Sequence, residues 1–341
     1  MKIWIDILTP KQLLFSEPII KKLKKKHDIL CTSREYREVT ELAKIRNLDL
    51  IFVGKHGGKK NFDKLMKGTD RIKKLTKLVY RYNPDLLISF QSPEASRVAF
   101  GLGIRHIGFA DSAHATAVMK LTVPFLDKLL IPWIMEKEKF AKFGIIEKNI
   151  IQYKAIDAAI ISKRKISKHL EIEKKKKIVI IRMAEEHASY NKFSNESITP
   201  IIKEILKELP DFRIIVLARY IDQIKFLKNK FRNKIEVPSK VVDSKSILRY
   251  ADVFIGSGGT MTAEAAFLGI PTVSYSKNND YDVDVFLEKR KIVVRESDPK
   301  KIPKIIQNLT SSNNSNYKLK IQKLMKSMED PIGVLEKILN F

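Results

Sequence analysis

The chain has 341 residues, of which 44% are hydrophobic, so it is long enough for two packed domains and too apolar to be disordered. Its 65 Lys and Arg residues outnumber its 39 Asp and Glu residues, and the formal net charge of +26 favours anionic partners such as nucleic acid, an anionic membrane face or phosphorylated substrates. The single cysteine, Cys31, excludes an internal disulfide framework and a cysteine-based zinc site, and no apolar run has the length of a transmembrane helix.

Strand and helix patterns alternate through the first half of the chain, which predicts a parallel sheet covered by helices on both faces. The first eight residues are typical of a strand rather than of a signal peptide. Short apolar runs predict strands at 2–7, 28–31, 50–53, 86–89, 105–108, 128–131 and 150–153. Helical periodicity lies between them at 16–26, 36–46, 61–82, 93–102 and 133–143.

A lysine-rich stretch over residues 162–177 is typical of an interdomain linker. A second alternating run follows, with strands predicted at 177–182, 213–217, 240–242, 253–255, 272–274 and 292–294, and helices at 198–208, 221–229, 246–250, 261–268, 284–290, 318–327 and 332–340. We therefore predict an α/β protein in which residues 1–161 and 178–317 form two Rossmann-like, doubly wound parallel-sheet domains facing a cleft. Ligands are expected at the carboxyl ends of their strands, and residues 318–341 are expected to form C-terminal helices.

A glycine-rich turn in the second half is the most informative feature of the chain. Residues 253–255 are typical of a buried strand, residues 256–259 of a turn, and the residues from Thr260 onward of a helix. Unpaired N–H groups at a helix start, together with glycines that allow close approach, form a cradle for phosphate. Glu264 lies one helical turn later, where its carboxylate can bind ribose hydroxyls. The pattern predicts a nucleotide-diphosphate site.

The turn has two alternative interpretations. An ordinary strand–turn–helix of an α/β protein also uses glycine. A dinucleotide-binding fingerprint requires G-x-G-x-x-G, and Gly256 and Gly258 fit it, but Met261 occupies the third position. The missing Gly-Lys-Ser/Thr ending excludes a Walker P-loop.

The positive charge also has two interpretations. Lys, Ile and Asn are all abundant, as a bias in coding composition would make them. The basic residues are spread over several runs, none of which has the interleaved aromatic residues of a nucleic-acid platform. Nucleic acid is therefore less favoured as a partner than a phosphorylated substrate or a membrane face.

The two-domain layout and the turn through Glu264 resemble the GT-B glycosyltransferases. The motif is similar to those of the UDP-N-acetylglucosamine-dependent transferase that completes lipid II and of the UDP-N-acetylglucosamine 2-epimerases. The whole chain resembles a mostly archaeal family of predicted glycosyltransferases, a domain of unknown function. The segments that carry the latter resemblance are residues 2–6, 56–58, 92–103, 111–115 and the glycine turn.

The resemblance implies a role for several residues. Those that would hold the donor pyrophosphate are Gly256, Ser257, Gly258, Gly259 and Thr260. Glu264 would bind the donor ribose, and Arg182 would face the diphosphate. Two departures limit the comparison. The loop at 8–13 lacks the glycines and the histidine of the lipid II transferase, although its Lys11 can contact an anionic acceptor. The two adjacent glutamates of the epimerases are replaced here by Ala263 and Glu264.

Polar residues after the predicted strands of the first domain are candidates for catalysis. His114 is a candidate general base, and Asp111 can orient its imidazole and raise its basicity. Alternatively, Asp111 caps the next helix and His114 is a surface residue. Glu94 is a second candidate base, or else it stabilises a helix N-terminus. His56 and Gly57 form either an acceptor loop or a simple turn.

Two candidates in the second domain complete the predicted donor site. His187 follows Arg182 and is a candidate contact to the diphosphate, and Asp280 is a candidate contact to the donor sugar. The Asp-x-Asp spacing within 280–284 also occurs at metal sites of another glycosyltransferase fold, but acids that precede a helix are typical caps. No spacing suggests zinc, so we expect neither a metal nor a cofactor.

The leading hypothesis is a metal-independent GT-B glycosyltransferase that moves a sugar from a nucleotide-diphosphate donor, expected to be a UDP-sugar, to a lipid-phosphate or surface-glycan acceptor of the cell envelope. It suits a cytoplasmic protein bound peripherally to the inner face of the membrane. The alternatives are an isomerase similar to the UDP-N-acetylglucosamine 2-epimerases, a non-catalytic nucleic-acid-binding protein, and a nucleotide-sugar sensor or inactive relative.

Overall fold

The computed structural model describes residues 1–58, 60–167, 170–185, 198–277, 281–311 and 315–339. The chain divides into two compact units, of which the first contains Met1–Asp157 and Glu329–Phe341 and the second contains Ala158–Met328. The last helix therefore returns to the first unit. Glu329 fixes this return, because its N–H donates to the carbonyl of Lys154 at 2.9 Å and its carboxylate accepts the N–H of Lys154.

The first unit is built on a seven-stranded sheet. In chain order its elements are β1 Lys2–Ile7, α1 Pro10–Leu23, β2 Asp28–Glu35, α2 Arg37–Arg46, β3 Ile51–Lys55, α3 Asn61–Tyr82, β4 Leu86–Ser89, α4 Pro93–Gly101, β5 Arg105–Phe109, α5 Thr116–Lys120, β6 Lys128–Pro132, α6 Glu138–Ala141 and β7 Ile150–Tyr153, and α7 Asp157–Lys163 continues into the second unit. Every pairing in the sheet is parallel, and the strand order is β3-β2-β1-β4-β5-β6-β7. The direction of winding reverses between β1 and β4.

The second unit is built on a five-stranded sheet. Its elements are β8 Ile178–Arg182, α8 Thr199–Glu208, β9 Arg213–Leu217, α9 Ile221–Phe231, α10 Ser244–Leu248, β10 Val253–Gly256, α11 Thr260–Phe267, β11 Thr272–Ser274, α12 Asp282–Lys289, β12 Val293–Arg295, α13 Ile302–Ser311 and α14 Ser315–Lys326, and α15 Pro331–Leu339 follows in the first unit. All pairings are again parallel, in the order β12-β11-β10-β8-β9. Here the winding reverses between β10 and β8.

Both faces of the second sheet are covered, as the alternation of side chains along β8 shows. Ile178 and Ile180 pack with residues of α10 and α11, whereas Val179 and Ile181 pack with residues of α8 and α13. A strand buried on both faces must be apolar at every position, which is why β8 appears in the sequence as a continuous apolar run. The prediction of two doubly wound, parallel-sheet α/β domains is confirmed.

Three predicted elements differ most from the structure. Helix α1 begins at Pro10 rather than near residue 16, because the Thr9 hydroxyl accepts the N–H of Gln12 and caps the helix there. The helix predicted over 133–143 is reduced to α6, and the strand predicted at 240–242 is not formed. A helix long and apolar enough to span a membrane does not occur among the described residues.

A buried ion pair and its hydrogen-bond partners join β1, β2, β3, α3 and the start of α4 in the first unit. The guanidinium of Arg71 on α3 lies 2.6 Å from the carboxylate of Asp6 on β1, and both side chains are almost completely buried. Arg71 also donates to the carbonyl of Val53 at 3.0 Å. The Asp6 carboxylate further accepts the hydroxyls of Thr32 at 2.5 Å and Ser92 at 2.6 Å. These bonds compensate for the removal of two charges from water.

We expect the substitution Arg71→Met to lower the free energy of unfolding by about 3–5 kcal/mol, because it leaves the Asp6 carboxylate buried without a counter-charge. Urea denaturation followed by circular dichroism measures the loss. The control is Arg81→Met on the same helix, where the side chain is exposed and the change should stay within about 0.5 kcal/mol. Equal losses in the two variants would contradict the role assigned to the pair.

Candidate functional site

The predicted site residues follow strands at the carboxyl edges of the two sheets. In an open α/β sheet, ligands bind at this edge, at the point where the strand order reverses. In the second unit that point lies between β8 and β10, and Arg182 ends the first of these strands while Gly256 ends the second. The glycine turn thus lies at the position where the fold favours a ligand.

The backbone of the turn explains its glycines. Gly259, the residue before α11, has φ 76° and ψ −162°, a region that is open essentially only to glycine. Gly258 has φ 86°, and a Cβ atom built on it would overlap the carboxylate of Asp284. Helix α11 begins immediately afterwards at Thr260, so its unpaired N–H groups lie at the turn.

A carboxylate of the protein already occupies the start of α11. The N–H of Gly259 donates to both oxygens of Asp284, at 3.1 and 3.2 Å, and the Asp284 side chain is only 6% exposed. The sequence pattern predicted that the acids of this segment cap the helix that follows them. Helix α12 instead begins at Asp282, and Asp284 caps the neighbouring helix α11, whose positive end attracts an anion. The turn therefore holds an anionic group in the structure itself.

Arg182 lies beside the turn and is linked to it through Tyr275. The Tyr275 hydroxyl donates to the carbonyl of Arg182 at 3.2 Å, and the Tyr275 N–H donates to the carbonyl of Gly256 at 2.9 Å. The Arg182 guanidinium donates to the carbonyl of Ala218 at 3.2 Å. The structure therefore places the backbone of Arg182 and the glycine turn at the same edge of the sheet, while the guanidinium bonds to the residue after β9, on the other side of β8.

Glu264 is buried and bonded within the protein. Its carboxylate, 2% exposed, accepts from the Arg164 guanidinium at 2.7 Å and from the Ser244 hydroxyl at 2.8 and 3.0 Å. Arg164 also pairs with Asp243 at 2.8 Å. A ribose hydroxyl would have to replace one of these partners, so ribose binding by Glu264 stays a prediction. From the sequence, Arg164 was assigned to the lysine-rich linker, because the lysines around it are typical of a solvated segment and nothing local indicates its two buried carboxylate partners.

Two of the predicted residues of the first unit, Lys11 and Asp111, lie in one cluster. The Lys11 ammonium, in the first turn of α1, pairs with Asp111 and lies 3.0 Å from Asp157 and 4.1 Å from the ring centroid of Phe90. His114 lies three residues after Asp111, in the segment between β5 and α5. The sequence missed Asp157, although an acid between apolar residues, as in Ile-Asp-Ala, indicates a buried partner.

The charges of this cluster are strongly coupled. Burial opposes ionisation of Asp111, but the Lys11 ammonium outweighs it and lowers the pKa of that carboxyl. Burial lowers the pKa of Lys11, but the two carboxylates raise it by more, so the pKa of Lys11 lies above its ordinary value. Burial raises the pKa of Asp157, which accepts the hydroxyl of Tyr153 at 2.5 Å. Asp111 and Lys11 are therefore both charged at neutral pH, and Asp111 is a weak base.

Glu94 belongs to the network of Asp6 and Arg71. It lies in the first turn of α4, and its carboxylate is 3.6 Å from the Arg71 guanidinium. Ser92 caps the same helix by accepting the N–H of Ala95 at 3.3 Å and donates to Asp6. This position suits a Glu that stabilises a helix N-terminus, and the alternative role of Glu94 as a base stays a prediction.

The loop after β3 has a structural reason for its glycine. A Cβ atom on Gly57 would lie 2.5 Å from the Cα atom of Lys64, so only glycine permits the close approach to α3. The His56 ring stacks on Tyr36 with centroids 5.0 Å apart, and its Nδ1 accepts the N–H of Gly58 at 3.0 Å. An acceptor role for His56 and Gly57 stays a prediction.

Two predicted donor contacts, His187 and Asp280, lie outside the described residues. Within the described residues, no group of three His, Cys, Asp or Glu side chains is arranged to hold a metal ion.

Comparison with protein families matches residues 1–340 to one family, described as "Protein of unknown function (DUF354)". A curated relative from Methanocaldococcus jannaschii, "Uncharacterized protein MJ0665", is 30% identical over 353 residues, covering 100% of this chain and 98% of that protein.

The fold is similar to those of a solved UDP-GlcNAc 2-epimerase and a solved rhamnosyltransferase. UDP-GlcNAc 2-epimerase from Neisseria meningitidis bound to UDP-GlcNAc has a TM-score of 0.75 at 16% identity, with 100% of each chain covered. Spinosyn rhamnosyltransferase complexed with spinosyn aglycone has a TM-score of 0.66 at 12% identity, covering 99% of this chain and 100% of that one. At such identities the likeness shows the fold alone, and it confirms the predicted GT-B-like fold.

We expect Asp284→Ala to increase the affinity of the turn for inorganic pyrophosphate, because the resident carboxylate and the ligand compete for the N–H of Gly259. The same change should lower the free energy of unfolding by about 0.5–2 kcal/mol through the lost cap. Thermal denaturation with and without pyrophosphate measures both effects. Asp282→Ala, which lies in the same helical turn, is the control. An equal stabilisation of wild type and Asp284→Ala by pyrophosphate would show that the carboxylate does not compete.

Proposed function

The chain belongs to the DUF354 family, and we propose that it is a glycosyltransferase that moves a sugar from a nucleotide-diphosphate donor to the hydroxyl of an acceptor. One observation carries the proposal: at the point where the second sheet reverses its order, the N–H of Gly259 at the start of α11 already binds a carboxylate. A group that binds a carboxylate there also suits a phosphate.

The donor diphosphate would replace Asp284 at the glycine turn. The N–H of Gly259 would bind phosphate oxygens, with the hydroxyls of Ser257 and Thr260 beside it and the Arg182 guanidinium supplying a positive charge. When the bond between sugar and phosphate breaks, negative charge grows on the departing diphosphate. Hydrogen-bond donors of the protein that are fixed at the turn would stabilise that charge more strongly than water does.

The acceptor hydroxyl needs a base, and we assign this role to His114. Asp111 is held in its charged form by Lys11, so it would orient the imidazole and stabilise its protonated form rather than take the proton itself. Because the charge of Lys11 is already matched by Asp111 and Asp157, Lys11 would act through Asp111. Contact between Lys11 and an anionic acceptor would require one of these pairs to open.

The class of sugar donor is proposed from the similar solved structures, and the class of acceptor is proposed from the net charge of the chain. The neighbouring epimerase from Neisseria meningitidis is bound to UDP-GlcNAc, which supports a UDP-sugar as the donor. The net charge of +26 supports an anionic acceptor, such as a lipid phosphate at the cytoplasmic membrane face. In this proposal the nucleotide sugar is a substrate and no cofactor takes part.

A UDP-GlcNAc 2-epimerase is the second candidate, because a structure of that name has the TM-score of 0.75 over the full length of both chains. The donor helix α11 weighs against it, since it carries Ala263 and Glu264 where the epimerases resembled by this motif have two adjacent glutamates.

We expect UDP to raise the Tm of the wild-type protein, because a ligand that binds only the folded state stabilises it. GDP, ADP and CMP define the base preference. Gly259→Asp should abolish the shift, since a second carboxylate would face the phosphates. Gly259→Ala introduces the same backbone strain without the charge, at a cost of about 1–3 kcal/mol, and should keep part of the shift. An unchanged UDP shift in Gly259→Asp would falsify the phosphate site.

We expect UDP-GlcNAc incubated with the protein in D₂O, without an acceptor, to keep its configuration and its hydrogen at C2. Inversion at C2 must break the C2–H bond, so an epimerase would bring deuterium to that carbon. Proton NMR of the recovered sugar nucleotide measures the exchange. Turnover with loss of the C2 proton signal would replace the transferase by the second candidate.

A further inference from the structure

Helix α3 exposes large apolar side chains on the side that faces away from the sheet. Phe62, Leu65 and Met66 are 71%, 68% and 53% exposed. The spacing of three and four residues places them next to one another on one face of the helix. Single exposed apolar residues are ordinary on a protein surface, but a group of three on adjacent positions indicates a binding surface.

The rest of α3 shows that this face is not part of the core. The buried side chains of the helix are Arg71, Leu75 and Val79, which recur every four residues and pack toward the sheet. Phe62 and Met66 lie on the opposite side of the helix from that row.

Lysines continue the same face. Lys73 and Lys77 lie two and three helical turns beyond Met66 on this face and are exposed. Asp70, which lies between them and Met66, is paired with Lys74 at 2.8 Å. Long lysine side chains can lie along an apolar surface while the ammonium stays in water. The face thus begins with apolar side chains and continues with cations.

We propose that the first two turns of α3, with Phe62, Leu65 and Met66, form a docking face for an anionic lipid surface. Burial of an apolar face among headgroups, together with attraction of lysines to anionic lipids, is the energetic basis of interfacial helix binding. A second copy of the chain fits less well, because each copy carries a net charge of +26 and lysines are depleted in interface cores. This surface is independent of the donor site and of the proposed reaction.

The test is co-sedimentation of the full chain with vesicles of phosphatidylcholine alone and of equimolar phosphatidylcholine and phosphatidylglycerol. Wild type should bind the mixed vesicles. The triple variant Phe62→Ala, Leu65→Ala, Met66→Ala should lose a factor of roughly ten or more in the partition coefficient, because it removes most of the inserted apolar area while keeping helix propensity. Replacing Lys73 and Lys77 by Gln should lower binding to the mixed vesicles roughly fivefold for each lysine.

The matched control replaces Ile146 and Leu319 by Ala. Both side chains are exposed, at 63% and 50%, and Leu319 lies on the lysine-rich helix α14, so general attraction of a basic protein to anionic lipid is retained. The control should bind as wild type does, and the apolar triple variant should keep the wild-type Tm and UDP response. The proposal is overturned if the triple variant binds vesicles as wild type does, if the control loses binding equally, or if sedimentation equilibrium shows a wild-type dimer that the triple variant abolishes.

Discussion

The carboxylate of Asp6 is the constraint on which the first unit depends. It lies on β1, where the order of the sheet reverses, and its partners come from three other elements: Thr32 on β2, Arg71 on α3 and Ser92 before α4. A charge left unpaired at this depth would cost several kcal/mol, so these elements must stay where their polar groups reach it. Because Ser92 is also the cap of α4, the same network sets the position of Glu94. The placement of a candidate catalytic residue thus follows from a structural ion pair.

The second unit uses internal charges in a similar way at the glycine turn. The carboxylates of Glu264 and Asp284 lie where ribose and phosphate are proposed to bind, and Arg164, Ser244 and the N–H of Gly259 already satisfy them. A ligand must therefore exchange bonds with the protein, and the cost of opening those bonds is subtracted from its binding free energy. Such a site favours a ligand that replaces several bonds at once, such as a nucleoside diphosphate, over a single small anion.

The sequence predicted the sheets better than it predicted the charges. Strands such as β4 and β9 were placed at their observed bounds, because strands buried on both faces are continuous apolar runs. The glycine turn was recognisable because its backbone conformation is restricted to glycine. The partners of Asp6, Asp157 and Glu264 were not recognisable from the sequence. Each of these acids pairs with a residue far away in the chain, and no local sequence pattern identifies such a partner. An acid within an apolar run predicts that a partner exists without identifying it.

The large number of lysines has two explanations, a bias in the coding composition and a function at particular positions, and the two have to be distinguished. A compositional bias would place lysine at solvent-exposed positions throughout the chain, and helices such as α9 and α14 carry it there without an exposed apolar group of comparable size. On α3 the lysines lie on the same helix as three adjacent exposed apolar side chains. A coding bias that favours lysine does not explain why large apolar side chains are exposed there. Charge alone therefore does not identify a partner for this protein. The combination of charge and exposed apolar area on one helical face fits the lipid interface that we propose as its partner, because such an interface is anionic at its surface and apolar beneath.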